Sequence, residues 1–379
     1  LFRSPVDQER RCALNTLLAL IPAAAFDADA HLLTIRAFLD AYTQPEVAAT
    51  LLLRAIILYK AEGNLNHAGR CYIELIRLYL QQEDFQTARL YVAEAESVVN
   101  QVTEHSIQAG LYLRLAELCP DLGRLHESVR YGENALHIFR QCDDLPNQFR
   151  CCVLLSIVHR QSGNYAEAAA ALEVAERLHQ AGKLDDEARS RILNGKAHLA
   201  WYRGDLTCAQ QLAEQLVAVT KDAGFPKAQV YSALLSANIR RALGQFTAAL
   251  HWYRTTAMLL DAAQLDRFKP WVDLNEGWLC ALTGDYIQAR RLIHHALTTP
   301  DRGQLMSFNV HLALLNILEG QITSAADLLR SVKPFYQQSG DGLAIAVIDL
   351  HLGYCHHLSG EASTAQAHLQ AADRKSTRL

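Results

Sequence analysis

The sequence predicts an all-α chain built as a solenoid of about nine stacked helix hairpins. Three observations carry this: a short motif recurring on a near-constant period, a small residue at a fixed distance before it, and apolar spacing of helical type. The motif is a hexamer that starts with glycine, has an aromatic or aliphatic residue two positions later, and ends in alanine. Copies read "GNYAEA" at 163–168, "GDLTCA" at 204–209, "GQFTAA" at 244–249, "GDYIQA" at 284–289, "GQITSA" at 320–325 and "GEASTA" at 360–365. "GRLHES" at 123–128 and "EDFQTA" at 83–88 extend the series upstream, with Glu83 in place of glycine. Successive copies begin 40, 40, 41, 40, 40, 36 and 40 residues apart. A fixed period in the range of roughly 20–50 residues is the signature of a repeat array.

Each element of the hexamer has a physical role. Glycine permits the left-handed backbone conformation that ends one helix. The residue after it (Asn164, Asp205, Asp285 or Asp84) can cap the start of the next. The third residue (Phe85, Leu125, Tyr165, Leu206, Phe246, Tyr286 or Ile322) is expected to wedge between the paired helices. The terminal alanine, replaced only by Ser128, lets two backbones approach closely. Twelve residues before that alanine sits a second small residue: Ala116, Ser156, Ala197, Ala237, Gly277, Ala313 or Gly353, with Ile76 as the exception. The intervening stretches have helical length and periodicity, and none alternates like a strand. The unit is therefore helix A, tight turn, helix B and a linker, often marked by proline (Pro146, Pro226, Pro270, Pro300).

A degenerate first copy is expected at 31–61, with "TQPEVAA" at 43–49 as its turn. Residues 1–30 then form an N-terminal cap or the remnant of a preceding domain, 31–372 the superhelical domain, and 373–379 a polar, frayed tail. Leu1 in place of an initiator Met suits a segment of a longer protein.

Composition narrows the function classes. Charge is nearly balanced, 36 Lys+Arg against 40 Asp+Glu for a net of −4, which argues against direct nucleic-acid binding by this segment. Nine cysteines, an odd number without a C-x-x-C pair, fit reduced thiols in a cytoplasmic protein. The longest apolar run, "ALNTLLALIPAAAF" at 13–26, is too short to span a bilayer, so no membrane association is expected.

The small residue, glycine, aromatic and alanine at these offsets resemble the tetratricopeptide repeat (TPR). "LGYCHHLSGEASTA" at 352–365 and "GWLCALTGDYIQA" at 277–289 match best. The resemblance implies a right-handed superhelix whose concave face binds partners. The period of about 40, rather than 34, resembles the sensor domains of the maltotriose-responsive transcription activator and its LuxR-type, signal-transducing ATPase relatives. In that family an ATPase precedes the superhelix and a helix-turn-helix follows it. This chain contains no G-x-x-x-x-G-K-[ST] phosphate loop and no segment that reads as a helix-turn-helix.

In TPR proteins helix A lines the concave face. With its small residue as position 8 and positions 2, 5, 9 and 12 inward, the wall includes Arg150, Arg160, Arg191, Asn194, His198, Trp201, Tyr231, Asn238, Arg241, Trp271 and Trp278. Guanidinium forks recognise carboxylates and phosphates, and the aromatic rings supply flat apolar contact. The expected occupant is a protein or peptide, acidic or amphipathic, or a small polar ligand such as a sugar. The competing account is plainer: large residues fill a narrow interior and the arginines are solvated. The best reading is a non-catalytic sensing segment of a larger cytoplasmic bacterial regulator; the alternative is a free-standing scaffold for protein assembly.

Other chemistry finds little support. His351 and Cys355 share a helix face beside His356 and His357, yet "LHLGYCHHLSG" is an ordinary helix A, so core packing is favoured over a metal site. Asp185, Asp186 and Glu187 lie at a helix start, where they complement its dipole. No nucleophile elbow or H-E-x-x-H motif is present, and neither an enzyme nor a cofactor is expected.

Overall fold

The computed structural model describes residues 5–376 except 23–24, 26–27, 42, 83–84, 183, 222–224 and 299–301. The described residues are helical, without strands. In chain order the longer helices are α1 (Pro5–Ala19), α2 (Ala30–Asp40), α3 (Pro45–Ala61), α4 (Leu65–Gln82), α5 (Phe85–Leu90), α6 (Val92–Val99) and α7 (His105–Leu118). They continue as α8 (Leu125–Gln141), α9 (Leu145–Gln161), α10 (Tyr165–Gly182), α11 (Asp186–Tyr202), α12 (Leu206–Lys221) and α13 (Pro226–Ala242). The last are α14 (Phe246–Ala263), α15 (Lys269–Leu282), α16 (Tyr286–Ala296), α17 (Arg302–Leu318), α18 (Ile322–Ser339), α19 (Gly342–Leu358) and α20 (Ala362–Ser376).

These helices form two compact units, Leu1–Cys119 with Arg130–Asp144, and Pro120–Val129 with Leu145–Leu379. In the first, α2 and α3 pair as the expected first hairpin, with Ala37 and Ala49 buried between them. The helix B after α4 is broken at Tyr91 into α5 and α6, where one helix was expected. In the second unit, six consecutive hairpins (α9–α10, α11–α12, α13–α14, α15–α16, α17–α18 and α19–α20) pack in chain order, each on the next. This is the architecture of an α-solenoid.

One turn is repeated at six of the hexamer glycines. Gly163, Gly204, Gly244, Gly284, Gly320 and Gly360 all have positive φ, from 73° to 86°. Each glycine N–H bonds to the carbonyl three residues back, and the next N–H to the carbonyl five before it, as in Gly163 to Arg160 (3.1 Å) and Asn164 to His159 (2.7 Å). These two bonds are the Schellman closure, which satisfies orphan carbonyls only with a left-handed residue at its centre. Gly63 makes the same pair of bonds, to Lys60 and Tyr59. "GNLNHA" at 63–68 is thus a further copy of the turn, lying between hairpins rather than within one. Asp205 and Asp285 cap the following helix by accepting from Cys208 and Gln288 N–H, each at 3.0 Å. Asn164 contributes its backbone carbonyl, to Ala168 N–H. Residues 83–84 lie outside the described residues, so the Glu83–Asp84 turn does as well.

The hexamer alanines Ala88, Ala168, Ala209, Ala249, Ala289, Ala325 and Ala365, together with Ser128, are all buried. What they pack against is visible at the glycines. A Cβ on Gly277 would lie 3.2 Å from the Ala289 carbonyl and 3.1 Å from Ile293; on Gly353 it would lie 3.2 Å from the Ala365 carbonyl and 2.8 Å from Leu369. The two small residues twelve apart are therefore one contact between helix A and helix B.

Two sequence expectations need correction. Leu125 and Tyr165 are buried wedges, but Phe246 is exposed, so the third hexamer position is not uniformly interior. Pro146, Pro226 and Pro270 lie in the first turn of α9, α13 and α15 rather than in linkers. There their missing N–H is one the helix start leaves unpaired anyway. Pro300 lies outside the described residues. The last helix ends at Ser376; residues 377–379 lie outside the described residues.

The packing makes a paired prediction. Gly277→Val forces a branched side chain into the helix A–helix B contact and should lower unfolding stability by about 2–3 kcal/mol. Gly284→Ala, in open space at φ +86°, should cost only about 1 kcal/mol of backbone strain. Equilibrium urea unfolding followed by helicity ranks the two.

Candidate ligand-binding interior of the second unit

The second unit returns on itself. A Cβ on Gly342 would lie 3.0 Å from the Ser162 carbonyl, one on Gly340 2.7 Å from His126 Nε2, and one on Gly123 3.1 Å from Ser339 Cβ. The turn before α19 therefore seats against the turns at 123–126 and 162. Asp341 sits in that seam and caps α19, accepting the Ala344 N–H at 2.8 Å. Burial pushes its carboxyl up to about 6, opposed by the Ala344 and Leu343 N–H groups and by the Arg160 charge.

Two clusters of candidate residues form inside this unit. In the first, the Arg160 guanidinium lies over the Tyr202 ring at 5.1 Å. His198 lies 6.3 Å from Tyr202 and 5.9 Å from Trp201, centroid to centroid. Burial, with Arg160 adding to it, lowers the His198 pKa well below the ordinary imidazole value. A neutral ring is the result. Its Nδ1, and Oδ1 of Asn194 one turn earlier on α11, are buried without a hydrogen-bond partner among the described residues.

In the second cluster, Arg241 Nη2 donates to Oδ1 of Asn238 (3.5 Å) on its own helix and to Oδ1 of Asn275 (3.4 Å) on α15. Tyr253, fully buried, donates its hydroxyl to Asn238 Oδ1 at 2.7 Å. Arg241 also shares a side-chain hydrogen bond with Tyr253, while its Nε is buried with no partner among the described residues. One turn along α15 from Asn275, the Trp278 ring meets His311 of α17 edge-on, 6.1 Å between centroids. Burial holds His311 down at about 4, the Ser307 carbonyl opposing and the Arg241 charge assisting. Three successive helices A thus present Arg241, Asn275 with Trp278, and His311 in one row.

Other expected wall residues stand apart from these clusters. Arg150 and Arg191 line a separate cavity of about 250 Å³ with Phe149, Leu184 and Asp185. Arg191 is half-exposed there and paired with Glu187 at 2.6 Å. Tyr231 is exposed and packs edge-on against Phe268 at 5.5 Å. Trp271 meets the buried Phe308 ring at 5.0 Å and belongs to the apolar core; for this residue the filling role describes its surroundings. Trp201 and Trp278 also lean on the core while remaining part-exposed.

Tyr202, Asn275 and His311 were missed by the sequence projection. Asn275 and His311 fall two residues before the small residue of helix A, and Tyr202 five after it. These positions are three or four residues from the chosen inward set, so they share its face; polar or aromatic residues recurring there were the available signal. On α19, His351 Nδ1 meets the Val347 carbonyl, Cys355 is buried, and His356 Nδ1 meets Glu361 at 2.7 Å. These side chains are directed to different partners. Among the described residues, no cluster of three His, Cys, Asp or Glu is arranged to hold a metal. No described helix is long and apolar enough to cross a membrane.

The tetratricopeptide repeat family matches residues 108–181. No curated protein matches the sequence. Among solved structures, the chain is similar to a Rap protein complexed with competence and sporulation factor, at 14% identity. That match covers 100% of this chain and 95% of the other, with a TM-score of 0.57. It is also similar to human IFIT1, seen as a dimer with PPP-AAAA, at 12% identity, over 91% of this chain and 90% of that one, with a TM-score of 0.51. A signal-transduction ATPase with a tetratricopeptide repeat sensor from Pyrococcus horikoshii matches at 13% identity and a TM-score of 0.48. That match covers 87% of this chain and 52% of the other, so this chain spans about half of that protein's length. At these identities the likeness is one of fold: tetratricopeptide-like hairpins along the chain.

The hydrogen-bond pattern separates structural from spare polar groups. Tyr253→Phe removes a buried donor from Asn238 and should cost about 1–2 kcal/mol. Asn194→Leu removes a carbonyl that has no partner and should be neutral or stabilising. Thermal unfolding of the two variants checks this contrast.

Proposed function

We propose that this chain is a non-catalytic binding module that takes a peptide, or a small polar ligand, in the interior of the second unit, Pro120–Val129 with Leu145–Leu379. The observation that carries the proposal is the set of buried, partnerless polar atoms on successive helices A: Asn194 Oδ1, His198 Nδ1 and Arg241 Nε. A buried polar group without a partner costs roughly 1–3 kcal/mol, and a ligand that supplies the partner recovers that cost on binding. Part-exposed Trp201 and Trp278 flank these atoms and offer apolar faces beside them. The fold supports the reading, because stacked repeats bind through the faces their helices A present.

Within that proposal, the chain serves as the sensing segment of a larger cytoplasmic bacterial regulator of transcription. The 40-residue period, resembling the sensors of LuxR-type signal-transducing ATPases, favours this role. Occupying the interior of a unit that returns on itself would stabilise the turn of residues 339–342 against residues 123–126 and 162. Binding would thereby be converted into rigidity, which a neighbouring domain can read.

A thermal-shift screen of the full chain against sugars, nucleotides and short peptides tests the proposal. A ligand at about 100 times its Kd adds roughly 2.7 kcal/mol to stability, enough to raise Tm by a few degrees. The shift should be lost in Trp278→Ala combined with His198→Ala. If nothing shifts Tm while co-purifying proteins stay bound to that double variant, the scaffold reading replaces the sensor.

A further inference from the structure

The second unit closes on itself at one seam, and a carboxyl group lies in it. A Cβ added at Gly342, Gly340 or Gly123 would stand 3.0, 2.7 and 3.1 Å from the Ser162 carbonyl, His126 and Ser339. Asp341 lies between two of these glycines. Its side chain accepts the Ala344 N–H at 2.8 Å, and its own N–H bonds to the Tyr336 carbonyl at 3.2 Å and to Ser339 Oγ at 3.3 Å. Each element packed around the seam brings charged or titratable groups to it. The start of α8 brings His126, with Arg124 and Glu127 paired to each other on either side. Arg160 comes from α9, Tyr165 from α10 and Tyr336 from α18. Burial raises both tyrosines, so they stay uncharged. Arg160 is the fixed positive charge acting on Asp341.

We propose that this seam is a proton-operated latch: with Asp341 neutral the turn of residues 339–342 seats on residues 123–126 and 162, and with Asp341 ionised the seat loosens. A carboxylate gives up water when the turn seats. The Ala344 and Leu343 N–H groups and the Arg160 charge offset that loss, yet burial outweighs them, and the closed seam favours the protonated acid. Opening returns water to the carboxylate without removing its cap on α19, because Ala344 belongs to the same turn. Closure raises the carboxyl from 3.8 to about 6. The latch is therefore held in full below the lower value, weakens as pH rises toward the upper one, and changes little beyond it. Two pK units correspond to roughly a hundredfold in the closing equilibrium. Acid fixes the turn shut, and near neutral pH it is easiest to release. Arg160 ties the latch to the interior: the guanidinium that acts on Asp341 also lies over Tyr202 and helps keep His198 neutral. The latch works without a ligand, so it and the binding proposal stand or fall separately.

Hydrogen–deuterium exchange of the full chain tests the latch, read as protection factors over residues 120–128 and 336–342 at about pH 4.5 and about pH 7. Protection factors remove the intrinsic pH dependence of amide exchange, and peptides from α13 and α14 supply a reference for global stability. Relative to that reference, wild-type seam protection should fall at least tenfold from the lower pH to the higher and level off above about pH 6. Asp341→Asn, whose amide oxygen still caps α19, should stay protected at both; Asp341→Ser, also an uncharged cap, replaces it should it fail to fold. Gly342→Val, driven against the Ser162 carbonyl, should lose seam protection at both. Imidazole is the other side chain at the seam that changes charge near this range, and His126→Gln should keep the wild-type pH dependence. Wild-type protection that is flat with pH, or greater at pH 7, would overturn the latch. So would a pH dependence that survives in Asp341→Asn or vanishes in His126→Gln, or full seam protection in Gly342→Val.

Discussion

The close approach of helix A to helix B at two small residues twelve positions apart sets the geometry of the hairpins that carry the pair, Ile76 marking the one repeat that lacks it. At Gly277 and Gly353 the facing carbonyls, of Ala289 and Ala365, would lie only 3.2 Å from an added Cβ. A larger residue at either position would drive the helices apart. The left-handed glycine between them closes the turn in the fewest residues that still satisfy the helix-end carbonyls. Because contact and turn recur with nearly the same spacing, each hairpin repeats the orientation of the one before. The solenoid follows from that repetition.

The interior is a consequence of the same constraint. Stacked helices A bring neighbouring faces of consecutive repeats side by side. Arg241 lies four residues after the small residue of its helix and meets Asn275, two before that of the next, while Asn275 and His311 occupy the same position in successive repeats. Burial lowers the pKa of His311 and, with Arg160, of His198, and Arg241 Nε and Asn194 Oδ1 are buried without a partner among the described residues. Such groups weaken a fold and are tolerated where something else completes them. The second unit thus combines a tightly specified apolar scaffold with an under-satisfied polar row.

The scaffold was legible in the sequence because its contacts are local and periodic. Glycine, alanine and their offsets report backbone requirements that few other residues meet, so the hairpins, the turns and the first degenerate copy could be placed directly. The candidate site was legible only in part. His198, Trp201, Asn238, Arg241 and Trp278 come from positions that a four-position inward face captures. Asn275, His311 and Tyr202 lie a step around the helix, and their inclusion depends on how neighbouring repeats lean on one another, which no single repeat encodes. Arg191 and Tyr231 occupy inward positions in the pattern, yet one finds Glu187 and the other Phe268. Side-chain partners chosen among local alternatives are invisible to spacing. Phe246 shows the same limit for the apolar wedge: it matches the motif, yet is 36% exposed.

The central claim is that packing in register creates a desolvated polar row inside the second unit. Ring titration of His198 and His311 by NMR, assigned through single His→Gln variants, measures that desolvation at two points in the row. Both rings should remain neutral as pH falls through 6.5, and His311 should titrate only near 4. Midpoints near 6.5 for both, the value of a solvated imidazole, would show that water fills the interior and would contradict the claim.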